Sequence, residues 1–229
     1  KARIDGNGQV EVLTPEQATH EAYFSKSGRY FVDNYSRADL EPRSVLRDNK
    51  GKVILELASP DLTRLYETGW KMPESFTVKA ADGHTDLYGF MWKPFDFDST
   101  RRYPIISYVY PGPQTEAIPL EFSVTAAYNV GLAQVGFVVV TFGHRGGSPM
   151  RDKWYHTFGY NNLRDYPLAD DKCGIEQLAD RFSFIDKSKV GIFGHSGGGF
   201  MSTAALCTYP DFYTAAVSSA GNHDNNIYN

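Results

Sequence analysis

A serine with glycine two positions away on each side, Gly194-His195-Ser196-Gly197-Gly198, stands between an apolar run and a stretch of helix formers. Val190 to Phe193 reads as a buried strand, and Met201-Ser202-Thr203-Ala204-Ala205-Leu206 as a helix. The G-x-S-x-G string alone is only moderately specific; the strand–turn–helix context gives it meaning. In that context the serine is forced into a tight, strained turn. Its neighbours must be small, because strand and helix backbones approach closely there. The turn exposes the hydroxyl, and the helix that follows aims its first amides at charge developing nearby. Ser196 is therefore a candidate nucleophile and the Gly197 amide a candidate oxyanion donor. The competing reading is a glycine-rich turn that merely packs a helix onto a sheet.

The stretches around this turn set the fold class. Apolar runs at 104–110, 136–142, 189–194 and 215–219 are near-continuous, as strands buried on both faces are. Leu168 to Arg181 carries Leu168, Ile175, Leu178 and Ala179 at helical spacing. Strands alternating with helices predict a mostly parallel sheet covered by helices. A hairpin is expected around Asp82-Gly83, between 76–80 and 85–92. Residues before about Ser59 have a different rhythm. Short β-like runs at 20–24, 29–35, 43–47 and 52–57 are separated by Asn, Asp, Ser and Gly turns. Four such strands would make one propeller blade, which cannot bury both faces by itself.

Composition narrows the function classes. A net charge of −4 gives no electrostatic reason to expect nucleic acid. No apolar run approaches the length of a membrane span, and the first residues lack the apolar segment of a signal peptide. The chain starts without methionine, so a processed or excised chain is expected. Cys173 and Cys207 are too few for a disulfide framework and read as buried free thiols within helices. Neither a clustered ligand set nor a phosphate loop is found, so no cofactor and no metal are expected.

Two further loops follow apolar strands. Val109-Tyr110-Pro111-Gly112-Pro113 would close the first core strand and set Tyr110 at the sheet's C-terminal edge. A phenol there can donate to an oxyanion, and it can equally be a packed aromatic. Gly143-His144-Arg145-Gly146-Gly147-Ser148 reads as a structural or substrate-wall loop that Arg145 anchors through carboxylates or carbonyls.

Taken in order, these segments resemble the prolyl oligopeptidase family of serine peptidases, and most of all its dipeptidyl peptidase IV branch. The resemblance rests on Asp82-Gly83 with Gly89 and Lys93-Pro94, on Tyr103-Pro104, on 109–113, and on Arg145-Gly146 with Ser148. Phe184-Ile185-Asp186 and 194–200 continue it. It implies an α/β-hydrolase core at 59–229, incomplete and ending after about the sixth strand. Residues 1–58 would be the end of an N-terminal β-propeller, about one blade. It implies Ser196 as nucleophile, with Tyr110 and the Gly197 amide as the oxyanion hole. A peptide substrate, a homodimeric parent protein and a periplasmic or secreted location are also expected. The pattern departs at Gly197, where this branch usually has tyrosine, and at His195, often tryptophan. His223, Asn226 and Tyr228 fall in the stretch that lines the substrate pocket. His223 and Asn226 stand where proline-gripping aromatics would be expected, which puts post-proline specificity in question.

In this fold the acid and then the histidine follow the serine on later loops. Asp211 reads as a surface carboxylate; His223 and Asp224 come too early. The expectation is a truncated piece lacking the triad Asp and His, inactive or nearly so alone, with the edge of its last strand exposed. Two alternatives stay open. One is an esterase or acyl hydrolase on the same core; the other is a non-catalytic module that kept the fold.

Overall fold

The computed structural model describes residues 1–6, 8–112, 115–162 and 166–224. The chain forms two compact units: residues 1–72 with 119–124, and residues 73–118 with 125–224. The first boundary thus falls after residue 72 rather than near 58. Packing explains the difference. Trp70 is buried, donates its indole N–H to the Val124 carbonyl (2.9 Å) and meets Phe122 edge-on. Residues 59–72 and 119–124 therefore go with the smaller unit.

The smaller unit is an antiparallel meander of β1 (Thr19–Phe24), β2 (Tyr30–Arg37), β3 (Leu40–Asp48) and β4 (Val53–Ala58), in that spatial order, followed by α1 (Thr63–Glu67). Its turns form where the sequence has the chemistry for them. The Asp48 carboxylate accepts the Lys50 and Lys52 amides, and Gly51 takes φ +84°. One face buries Phe31 and Val45 beside an ion cluster that sequence reasoning missed. Arg47 donates to Asp33 (2.8 Å) and Glu16 (2.7 Å), and His20 bonds Asp33. Tyr23, Phe24, Ile54, Leu55 and Leu57 remain exposed.

The larger unit is built on a six-stranded sheet. Its strands are β5 (Glu74–Lys79), β6 (Asp86–Trp92), β7 (Tyr103–Tyr108), β8 (Val138–Phe142), β9 (Ile185–His195) and β10 (Tyr213–Ser219). The spatial order is β10-β9-β7-β8-β6-β5. Strands β10, β9, β7 and β8 run parallel; β6 and β5 pair antiparallel at the far side. The parallel crossovers carry α2 (Asn129–Gln134), α3 (Lys153–His156) with α4 (Leu168–Arg181), and α5 (Gly197–Thr208). Helix α4 buries Leu168, Ile175 and Leu178, the stripe its spacing predicts. These side chains join Ile105, Val138, Val140, Val190, Ile192 and Met201 in one core. Both cysteines are free and helical, but Cys207 is exposed and Cys173 only half-buried, so the expectation of buried thiols is corrected. Burial stops at the last turn of α5, where Cys207 lies.

The order has a functional consequence. From β7 the chain crosses to β8 on one side and then to β9 on the other. The crevice outside the carboxyl ends of β7 and β9 is thus a topological switch point, where open α/β sheets place their sites.

Candidate active site at the switch point

Ser196 stands at that crevice, between β9 and α5. Its backbone takes φ 54° and ψ −116°, a region L-residues rarely occupy. The pairing around it holds it there. The Ser196 N–H donates to the Ser219 carbonyl of β10 (2.8 Å), and the Phe200 N–H returns to the Ser196 carbonyl (3.0 Å). The side chain makes no capping bond to its own helix. A hydroxyl left uncommitted by its own helix is available to chemistry.

The glycines answer to close approach. The Val109 carbonyl lies 2.3 Å from where a Cβ on Gly194 would sit and 2.1 Å from one on Gly198. The Ser219 carbonyl would meet a Cβ on Gly199 at 2.5 Å. Any side chain at these positions would push the β7 loop or β10 away from the elbow. Gly197, one of the residues that depart from the resemblance, follows the same rule: the Pro111 carbonyl lies 2.8 Å from its would-be Cβ. Two hydroxyls brace the turn: Ser202 Oγ donates to the Gly198 carbonyl and Ser218 Oγ to that of Gly199. The first turn of α5, whose leading amides have no partner within the helix, starts directly at Ser196.

Tyr110 enters from the end of β7. The Val109 N–H donates to the Phe193 carbonyl (2.9 Å), so the segment is tied to β9 just before the elbow. The Tyr110 Cα lies 3.5 Å from the would-be Cβ of Gly198. Ser196, Gly197 and Tyr110 are thereby brought together at one crevice. His195 is exposed and shares a hydrogen bond with Ser219 Oγ through Nδ1 (2.9 Å). His223 folds back over Gly221 and faces the Phe200 ring, with centroids 6.3 Å apart. Asn226 and Tyr228 lie outside the described residues. Asp211 is exposed beyond the end of α5.

The loop after β8 is anchored as its arginine suggests. Arg145 is 8% exposed and Asp170 fully buried. The guanidinium donates to both Asp170 oxygens (2.7 and 3.0 Å) and to Asp82 (3.2 Å), and lies over Phe158. Next to Asp170, Asp171 accepts from Ser107 Oγ (2.7 Å) and Tyr213 Oη (2.8 Å). Burial pushes its carboxyl up to about 6, against those two hydrogen bonds. Sequence reasoning missed Asp171 and Ser219; polar residues within an apolar pattern were the available signal.

Among the described residues one cluster has the spacing of metal ligands: Glu16, His20 and Asp33. Arg47 already pairs with both carboxylates there, and the His20 nitrogens are bonded to Asp33 and to the Glu16 carbonyl. The donor set is satisfied as an ion-pair cluster and does not suit a cation. No described helix is long and apolar enough to cross a membrane.

Residues 122–229 match the family model described as the prolyl oligopeptidase family. Human dipeptidyl peptidase 8 is 29% identical over 93% of this chain, which covers 24% of that protein. Venom dipeptidyl peptidase 4 of Apis mellifera is 29% identical over 86% of the chain and 26% of its own length. Two solved structures share the fold. One, described as a candidate dipeptidyl aminopeptidase IV from Bacteroides ovatus, has TM-score 0.78 and 30% identity, over 90% of this chain and 29% of that one. The other, dipeptidyl peptidase 4 of Porphyromonas gingivalis, has TM-score 0.77 and 25% identity, over 91% and 29%. The chain spans about a quarter of the length of the curated relatives it matches. The matches run through both units and across the Ser196 elbow, and on them the chain is related to the dipeptidyl peptidases of the prolyl oligopeptidase family.

Proposed function

We propose that this chain carries the nucleophile of a dipeptidyl-peptidase-like serine peptidase, acting through an acyl-enzyme on Ser196. The observation that supports it most is Ser196 at φ 54° in a strand–turn–helix elbow, in a chain related to dipeptidyl peptidases. In this reading Ser196 Oγ attacks the scissile carbonyl carbon while a base takes its proton. The oxyanion receives the Gly197 N–H and the Tyr110 phenol. Collapse expels the amine, which takes the proton, and water then frees the acyl group by the same route. His195 is not that base, because its Nδ1 is engaged with Ser219 and it directly neighbours the nucleophile. The base and its acid partner are assigned to polypeptide outside residues 1–229, so these residues alone should turn substrate over slowly or not at all. His223, with Asn226 and Tyr228, belongs to the wall that meets the substrate. The four-stranded unit is read as the last blade of a propeller that holds the substrate's other end.

The test is turnover of glycyl-prolyl and alanyl-alanyl anilides and of a chromogenic ester by the whole protein, beside a Ser196→Ala control. Anilide release lost in the control supports the peptidase and shows whether proline is preferred. Ester turnover alone would move the reading to an acyl hydrolase. Absence of any Ser196-dependent turnover would leave a non-catalytic module.

A further inference from the structure

We propose that Glu116 is a positioning residue for Tyr110: it locks the far end of the Tyr110 loop into a cleft between two glycines, an inference that rests on the peptidase reading above. The loop that carries Tyr110 follows β7 and is held at its start by the contacts of Val109 and Pro111 with the elbow. Its other end is held by Glu116. The Glu116 side chain fills the space that a Cβ on Gly147 would need, its Cγ and Oε1 lying 2.5 and 2.3 Å from that point. The same Oε1 lies 2.8 Å from the would-be Cβ of Gly143. At the base of the cleft the buried Tyr155 hydroxyl donates to Glu116 Oε1 (2.5 Å).

The cleft itself is fixed. The Gly143 N–H donates to the Tyr88 carbonyl (3.0 Å), the Gly146 N–H to that of Tyr155 (2.7 Å), and Arg145 is clamped on Asp170. Residues 143 and 147 must therefore be glycine to admit a side chain from another loop. Among the described residues the Glu116 carboxylate has a phenol and no cation as its partner. A half-buried carboxylate so held adds little net stability. It does fix where the loop sits. A tyrosine that must reach an oxyanion needs that fixing, because an error of about 1 Å can cost about a hundredfold in rate.

The experiment places Glu116→Ala, Glu116→Gln and Tyr155→Phe in the whole protein, each with and without Tyr110→Phe. The expected result is a kcat lowered about ten- to a hundredfold by Glu116→Ala with KM held within about twofold. Glu116→Gln, which keeps an acceptor for Tyr155, should restore part of it. The loss should largely vanish in the Tyr110→Phe background, since Glu116 acts through that phenol. Hydrogen exchange at the Tyr110 and Gly112 amides should quicken in Glu116→Ala while β7 stays protected. A loss that persists undiminished with Tyr110→Phe, or exchange that does not change, would overturn the inference. If Glu116→Ala fails to fold, Tyr155→Phe carries the same comparisons. Turnover that depends on Ser196 but ignores Glu116 would sink this inference and leave the peptidase reading standing. Absence of Ser196-dependent turnover would sink that reading and the catalytic role with it, and exchange would still decide the anchor.

Discussion

Ser196 holds a backbone conformation that costs free energy whether or not the protein turns anything over. A non-glycine residue at φ 54° and ψ −116° costs on the order of 1–3 kcal/mol. Two inactive variants separate that cost from chemistry. Ser196→Ala keeps the Cβ and with it the strain. Ser196→Gly removes the Cβ, and should unfold at higher denaturant than Ser196→Ala, by about 1 kcal/mol after the added chain entropy of glycine is subtracted. A lower midpoint for Ser196→Gly than for Ser196→Ala, as glycine's chain entropy alone would give, would mean that the elbow is not strained. The opposite sign is expected for Gly198→Ala. Its Cβ would lie 2.1 Å from the Val109 carbonyl, backbone that is itself tied to β9. A loss of about 3 kcal/mol is expected, read by the same denaturant titration. These residues were legible in the sequence because a strand, a small-residue turn and a helix occur in immediate succession. The reason for Gly197 was not legible: it is the Pro111 carbonyl, which sequence spacing does not bring near.

At the scale of elements, helix α4 was readable because its buried stripe repeats over several turns, and its span of Leu168–Arg181 agrees with the spacing. Helices α1, α2 and α3 run only 4–6 residues, too short for a period to register, and were missed. Of the polar ties between elements, the anchoring role of Arg145 was legible but its carboxylate partners were not. Asp82, Arg145 and Asp170 lie 25 or more residues apart, and no local pattern marks their meeting. Arg145 anchors the loop after β8 to the start of α4 and to the β5–β6 turn. Replacing it with alanine leaves Asp170 fully buried beside Asp171 without its cation. A destabilisation of about 3–5 kcal/mol is expected in urea unfolding. Arg145→Met with Asp170→Asn should recover part of it, because the double variant removes the orphaned charge and the introduced amide oxygen can still accept from the Ala81 or Arg145 backbone N–H. If the double variant were as unstable as the single, the pair itself would be the source of stability.

Over the whole molecule the net charge is −4 and the core of the larger unit still encloses two neighbouring carboxylates, Asp170 and Asp171. Among the described residues only the first has a cation. Asp171 is 3% exposed, and burial raises its carboxyl from 3.8 to about 6 in the folded chain. The direction of the pH effect follows from proton counts. Between pH 4 and 6 the folded state keeps a proton on Asp171 that the unfolded chain has lost, so stability falls as pH rises through that window. The contribution is fully present below pH 4 and gone above pH 6, with a magnitude of about 3 kcal/mol. Asp82 acts the other way: hydrogen bonds from Thr85 and His84 and the charge of Arg145 outweigh burial and hold its carboxyl well below the usual range. Its contribution is present at neutral pH and is lost on acidification. The two groups act on opposite sides of about pH 4, Asp82 below it and Asp171 above it, and other carboxylates titrate in both windows, so the wild-type curve alone identifies neither. Asp171→Asn separates them. It keeps the shape and can still bond Ser107 and Tyr213, whose hydroxyls can turn to donate or accept. The variant should match wild type near pH 4 and exceed it by several degrees in Tm at pH 7.5, where wild type must hold an unpaired buried charge. A difference in Tm that stays constant from pH 4 to 7.5 would show that Asp171 is ionised throughout, stabilised by its two hydroxyl donors against the burial that surrounds it.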